Sequence, residues 1–365
     1  MSKRQPDTLA SEAMDILSHL LLSPNPAEVL LARPGFRDLT REKFDRMVAL
    51  AHSNHVIVRG LEAYCRIVAA AGDTTRDQWA ADVLAAEKAR ISNAVRWISR
   101  LCESLKLNGV DVTVMKSLDH WPDFGSDIDL YTNSPSKDVL SAMQKEFKGE
   151  VAARSWGDRL AGKWNFMIPT LEEAVEVHAQ RLGQTGEQRT LGAHLPARRR
   201  FLSFDGNLLP VPSPSDRIMI STLQRMYRHF YFRLCDMVDS AALANSGVID
   251  YEDLRTSARA AGIWEGVATY LVLVRDYVRR FGGDEVVLPD YVVESARFCG
   301  DTMYLGGSFL RVPILPQSAS LYRTQLAGLL RRREMHNSLR LGILPFLASA
   351  AAVGHKLTGD DKGIW

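Results

Sequence analysis

The sequence predicts an α+β protein in which a small mixed sheet is flanked by N-terminal and C-terminal helical regions. Three observations carry this expectation. Residues 8–106 repeat apolar side chains at helical spacing, residues 107–212 change to a two-residue alternation, and the helical period returns after 213. The expected units are a helical region over 1–106, an α/β core over 107–212, a second helical region over 213–300 and a helical tail over 301–365.

In the first region, "REKFDRMVALAHSNHVIVRGLEAYCRIVAAAG" and "DQWAADVLAAEKARISNAVRWISRLCESLKLNG" carry apolar stripes, and Gly109 is placed to cap the second helix. Next, "GVDVTVM" alternates Val110, Val112 and Val114 with Asp111 and Thr113, the period of a half-buried strand. "SDIDLYT" repeats that alternation, "SKDVLSAMQKEF" reads as a helix after the "NSPS" turn, and "KWNFMI" and "AVEVHAQ" read as strands. Ser213, Pro214 and Asp216 form a helix-start signature ahead of one long helix reaching about residue 245, with further helices near 251–262 and 264–281.

Composition narrows the function. Forty-five basic residues against 43 acidic ones leave a net charge of +2, so there is no general signal for a nucleic-acid partner. Four cysteines, Cys65, Cys102, Cys235 and Cys299, lie far apart without a C-x-x-C pair. They read as reduced, mostly buried thiols of a cytoplasmic protein, and their spacing argues against a zinc site built from them. Asp7, Glu12 and Asp15 interrupt the N-terminal stretch as a signal peptide would not. The apolar run "LGILPFLASAAAV" near the C-terminus is well short of the ~20 residues of a membrane span. With the basic cluster before it, that run reads either as a helix docked on the core or as an interfacial segment making weak membrane-surface contact.

The chemistry concentrates in "MKSLDHWPDFGSDIDLYTN". Side chains i and i+2 of a strand share a face, so Asp127 and Asp129 project together while Ile128 and Leu130 face the core. Paired carboxylates repel unless a proton or cation joins them, and oxygen-rich sites suit Mg²⁺ with substrate phosphates. Taken alone, D-x-D is a weak signal that also fits two solvated acids at a strand end or a turn-forming pair. In "AVEVHAQ", Glu176 and His178 share the face opposite Val175 and Val177, and if the strands neighbour each other Glu176 joins the aspartates. Glu176 also fits an exposed strand acid, and His178 a packed histidine. Lys116 and Ser117 stand before the compact loop "DHWPDFGS", where a turn, a hydroxyl and an ammonium suit a triphosphate. Arg225, Arg228, His229 and Arg233, interleaved with aromatics, fit either a clamp on a nucleotide or an amphipathic helix with solvated arginines. The "ARRR" run at 197–200 reads as an exposed loop.

Residues 40–280 resemble an uncharacterised bacterial family of nucleotidyltransferase-like proteins within the superfamily that has the DNA polymerase β-type palm. The resemblance rests on "VTVMKS", "SDIDLYT" and "VEVH", followed by His229, Arg233, Leu234 and Asp239 in "RHFYFRLCDMVDSAALA". It implies a palm-like core and Mg²⁺ (two ions) held by Asp127 and Asp129, with Glu176 as third acid helping to deprotonate an acceptor hydroxyl. It further implies an NTP as substrate, with Lys116 and Ser117 at its phosphates and Arg228 or His229 reaching the cleft. The expected reaction is transfer of a nucleoside monophosphate to an acceptor, a small molecule by expectation. The superfamily places Gly-Ser where this chain has Lys116-Ser117, a departure that narrows a phosphate's approach to the backbone. A retained fold serving as a binding module is the second reading. Nucleotide-sugar transfer through D-x-D is a third, but it calls for a larger doubly wound domain than about a hundred residues supply.

Overall fold

A computed structural model describes residues 8–313, 316–317, 319–344 and 346. The N-terminal part is helical: Thr8–Leu22 (α1), Pro26–Leu31 (α2), Pro34–Arg37 (α3), Arg41–Ser53 (α4), Ile57–Ala70 (α5) and Thr74–Leu107 (α6). In α6 the buried positions Ala80, Leu84, Glu87, Ile91, Ala94, Ile98, Leu101 and Leu105 recur every three or four residues, which makes one continuous stripe. Asp73 caps its start by accepting the Arg76 N–H, and Gly109 leaves its end with φ 77°.

The chain then builds a five-stranded mixed sheet: Val112–Met115 (β1), Asp127–Thr132 (β2), Glu150–Val151 (β3), Lys163–Met167 (β4) and Ala174–Ala179 (β5), in the order β1-β2-β5-β4-β3. The protein is therefore a mixed α+β fold, as the change of period predicts. β2 and β5 run parallel and every other pair is antiparallel. The crossover between the parallel strands carries Ser136–Phe147 (α7) and Trp156–Ala161 (α8). Ile128, Leu130, Val175 and Val177 are fully buried on one face, toward the side where α6 packs against β1 and α7. The other face carries the polar alternates.

Beyond the sheet come Arg189–Arg198 (α9), the hairpin Arg200–Phe204 (β6) and Asn207–Val211 (β7), and Pro214–Thr222 (α10). Ser213 caps α10 by accepting the Asp216 N–H at 3.2 Å, while the Asp216 carboxylate returns to the Ser213 hydroxyl at 2.6 Å. The long helix expected up to residue 245 does not continue. Leu223–His229 forms a π-helical turn, Phe230 turns left-handed at φ 55°, and Tyr231–Phe232 (β8) is extended. A new helix, Leu234–Asn245 (α11), starts where the Arg233 N–H donates to the Asp236 carboxylate at 2.7 Å. Tertiary pairing overrides helix period here. β8 joins Phe309–Arg311 (β10), itself paired with Tyr304–Gly306 (β9), and Tyr231 stacks on Phe309 with ring centroids 4.4 Å apart. Residues 304–311 are thus a hairpin inside the segment read as helical, turned at Gly307 with φ 63°.

Further helices include Tyr251–Ala261 (α12), Trp264–Arg280 (α13), Asp290–Ser295 (α14) and Ala319–Arg331 (α15), and residues 335–344 are helical as well. Among the described residues no helix is long and apolar enough to cross a membrane. The tail assigned to membrane-surface contact lies largely outside the described residues, although Met335, Leu339 and Phe346 within it are exposed. The "ARRR" segment is not a free loop. Arg198 ends α9 and pairs with Asp216 and Asp253, and Arg199 pairs with Asp111, because acids on the neighbouring elements neutralise them.

Candidate active site

The parallel register sets the geometry. Asp129 on β2 stands directly opposite Glu176 on β5, and Tyr131 opposite His178. Asp127, two residues before Asp129, shares its face. Arg90 of α6 fixes the start of both strands, donating to the Gly125 carbonyl at 3.2 Å ahead of β2 and to the Glu173 carboxylate at 2.6 Å ahead of β5. Glu173 is buried, so this pair holds the strand ends in a low-dielectric setting.

Ser117 stitches the loop back onto β2. Its hydroxyl accepts the Asp129 N–H at 2.7 Å and donates to the Asp127 carbonyl at 3.2 Å. The loop "DHWPDFGS" thus returns residue 117 beside the aspartates. Lys116 has φ 52°, the left-handed conformation that favours glycine, so this chain places a lysine on backbone geometry suited to a glycine. Its ammonium lies 2.5 Å from Asp129 Oδ1 and 3.9 Å from Glu176 Oε1.

Glu176 is held by two further groups. Lys163 Nζ on β4 approaches its Oε2 at 2.5 Å, and His178 Nε2 its Oε1 at 2.6 Å. Lys163 was not among the residues singled out from the sequence. Its only signal there is its place at the head of an alternating strand, and the antiparallel pairing of Lys163 with His178 brings it in.

Protonation follows from these contacts. Burial raises the carboxyl of Glu176, but Lys116, His178 and Lys163 together overcome it and hold the group well below the usual range. Asp129 goes the other way. Burial, reinforced by the charges of Asp127 and Glu176, pushes its carboxyl well up, and Lys116 offsets this only in part. Burial works against the charge of Lys116, yet Asp129, Glu176 and Asp127 raise its pKa. His178 is lowered, by burial first, and so stays neutral at pH 7.

Asp127, Asp129, Glu176, Lys116, Ser117, Arg228 and His229 all line one cleft of about 220 Å³. The π-helical turn forms its opposite wall, and π-helical turns recur at functional sites. Arg228 and Arg233 on that wall each bury an Nε with no hydrogen-bond partner. Arg225 is fully buried and its Nε lies 2.7 Å from Asp236, while its Nη1 is buried without a hydrogen-bond partner. His229 is held neutral by burial and by Arg228, Arg225, Lys116 and Arg233.

A divalent ion would find oxygen donors here. Asp129, Glu176 and His178 each place one ligand atom within 4.8 Å of the others, and Asp127 stands beside them on the cleft wall. The donor set suits a hard cation, but Lys116 and Lys163 already neutralise the same carboxylates. A bound ion therefore requires at least one ammonium to withdraw.

The chain matches no family model and no curated protein. Among solved structures, it is similar to the crystal structure of an antigenic nucleotidyltransferase-like protein from Paracoccidioides brasiliensis, at 15% identity and a TM-score of 0.33 over 55% of this chain and 95% of that one.

Proposed function

We propose that this protein is a nucleotidyltransferase with a palm-like core, moving a nucleoside monophosphate from an NTP to the hydroxyl of a small acceptor. The observation that carries the reading is the pairing of Asp129 with Glu176 across a parallel register, facing two arginines with unsatisfied Nε donors. Carboxylates on one wall and guanidinium groups on the other fit a ligand bearing both a metal and phosphates. Mg²⁺ held by Asp127, Asp129 and Glu176 would supply charge neutralisation at the reacting phosphate and lower the acceptor's pKa. Arg228 and Arg233 orient phosphate oxygens, and His229 contacts the nucleotide as a neutral hydrogen-bonding group. Glu176 is ionised at neutral pH and serves as a metal ligand, since a carboxylate held this far below the usual range is a weak base. Ser117 acts by keeping the turn on β2, since its hydroxyl is spent on backbone groups.

The test is release of pyrophosphate from each of the four NTPs in the presence of cell extract and Mg²⁺. Asp129→Asn and Glu176→Gln should each lower the rate at least 100-fold with the fold intact by circular dichroism. Turnover that survives both changes overturns the proposal.

One observation favours the second reading, a binding module with this fold. Two ammonium groups at 2.5 Å from the acids already do what a cation does. Tight NTP binding that is indifferent to Mg²⁺, without pyrophosphate release, would select it.

A further inference from the structure

We propose that His55, His120 and Cys235 form a binding site for one Zn²⁺ ion, with a fourth coordination position facing the cleft beside the acidic cluster. It is independent of the transferase reading, because it uses none of the acids of β2 and β5.

The three residues come from segments far apart in sequence. His55 lies in the link between α4 and α5, His120 in the loop between β1 and β2, and Cys235 in the first turn of α11. One ligand atom from each lies within 4.8 Å of the others, and all three residues are buried. Cys235 Sγ is 3.6 Å from His120 Nε2. Zn–N bonds of ~2.0–2.1 Å and a Zn–S bond of ~2.3 Å at a tetrahedral angle place N and S about 3.5 Å apart, so this pair already has the spacing of two ligands on one ion.

The other ring nitrogen of His120 supports the assignment. Its Nδ1 lies 2.6 Å from Asp239 Oδ2, which fixes the ring with Nε2 turned to its hydrogen-bond partner Cys235 Sγ. A carboxylate behind a histidine is the usual support of a zinc ligand. Arg59 in turn holds Asp239 and also Asp123, whose second oxygen accepts the Val58 N–H at 2.6 Å. His55 has φ 53°, a conformation uncommon outside glycine, and its buried Nδ1 has no hydrogen-bond partner. A strained residue with an unsatisfied buried nitrogen, beside a thiol and an oriented imidazole, is accounted for by a ligand that this set can share.

Charge is consistent with a dication. On binding, the thiol proton leaves to solvent as the Zn–S bond forms; Asp239 and Asp123 share the single Arg59, and the one negative charge they leave together with the thiolate matches the ion. Arg225 is matched by Asp236, which leaves Arg233 as the nearby cation opposing the ion. His55 and His120 line the cleft, whereas Cys235 lies behind them, so the open side of the site faces ligand space. Three protein ligands with an open fourth position is the pattern of reactive rather than purely structural zinc. Cysteine spacing alone could not disclose the site, because it uses one cysteine.

The test uses the full chain, stripped of metal and titrated with Co²⁺ as a spectroscopic substitute, together with elemental zinc analysis of the protein as purified. The expected result is one equivalent bound, with a thiolate-to-cobalt charge-transfer band in the near ultraviolet and the visible absorption of a four-coordinate ion. Zn²⁺ should displace it. Cys235→Ser should abolish the charge-transfer band, and Asp239→Asn should weaken the metal by ~10–100-fold. Glu176→Gln should leave the band in place. Should Cys235→Ser fail to fold, His55→Gln, which keeps the thiol, should still lower affinity by at least tenfold. No thiolate band in the parent protein, survival of the band in Cys235→Ser, or its loss in a folded Glu176→Gln variant each overturns the assignment.

Discussion

Lys116 provides the sharpest test of how this cleft handles charge. Its ammonium lies 2.5 Å from Asp129 and 3.9 Å from Glu176. At an effective dielectric of about 20, a unit charge interacts by about 7 kcal/mol with a carboxylate at the Asp129 distance and by about 4 kcal/mol at the Glu176 distance before desolvation, and resists a dication at similar range by about twice as much. Only a fraction of this survives rearrangement, but even 2 kcal/mol corresponds to more than tenfold in affinity at about 1.4 kcal/mol per decade. Lys116→Met keeps the chain length and the left-handed backbone while removing the charge. Lys116→Gly removes both the charge and the strain. Without metal, both variants should unfold more easily than the parent, by up to ~3–5 kcal/mol, because buried acids lose their partner. The glycine variant should be the more stable of the two, since the left-handed conformation costs a side-chain-bearing residue roughly 1–2 kcal/mol. With Mg²⁺ or Mn²⁺, both should regain much of the loss. Calorimetric titration should show at least tenfold tighter metal binding than in the parent, and thermal unfolding with and without EDTA reads the stability. Equal metal affinity in all three proteins, with identical metal-induced shifts in Tm, would refute the claim that this ammonium competes with a cation.

Arg90→Met should destabilise the fold by about 3–5 kcal/mol, because Glu87 and Glu173 are both left buried without their cation, and adding Glu173→Gln should restore only the part owed to Glu173; urea unfolding of the single and double variants measures this. His229 has a depressed pKa in the folded protein, so its contribution to stability is present above the ordinary histidine value near 6.5 and is lost as pH falls below it toward the folded value. His229→Gln should therefore flatten the acid-side loss of stability between pH 7 and 5, read from urea midpoints across that range. A β-carbon at Gly192 in α9 would lie 2.6 Å from the hydroxyl oxygen of the buried Tyr131. Gly192→Ala should cost about 1–3 kcal/mol by displacing that ring on β2, and Gly192→Ala with Tyr131→Phe should cost less; thermal unfolding compares the two.

Local pattern was informative wherever one face of an element is buried. Alternation in "SDIDLYT" and "VEVH" gives strands whose valines, isoleucine and leucine are buried, and the stripe in α6 gives a helix, because the period of burial is written into adjacent residues. The break after His229 was not legible. Its residues have helical spacing, and only pairing with a hairpin some seventy residues later draws Tyr231 and Phe232 into a sheet.

By itself the sequence determined that Asp127 with Asp129, and Glu176 with His178, lie on polar faces of two strands, because side-chain direction in a strand depends only on position parity. Which strands are neighbours, and in what register, was decided by tertiary structure, since pairing joins segments that share no local signal. That register sets Asp129 against Glu176, brings Lys163 onto the same carboxylate, and gathers His55, His120 and Cys235 from three separate segments. Charge and metal chemistry depend on distances of a few ångströms, and only the folded chain supplies them.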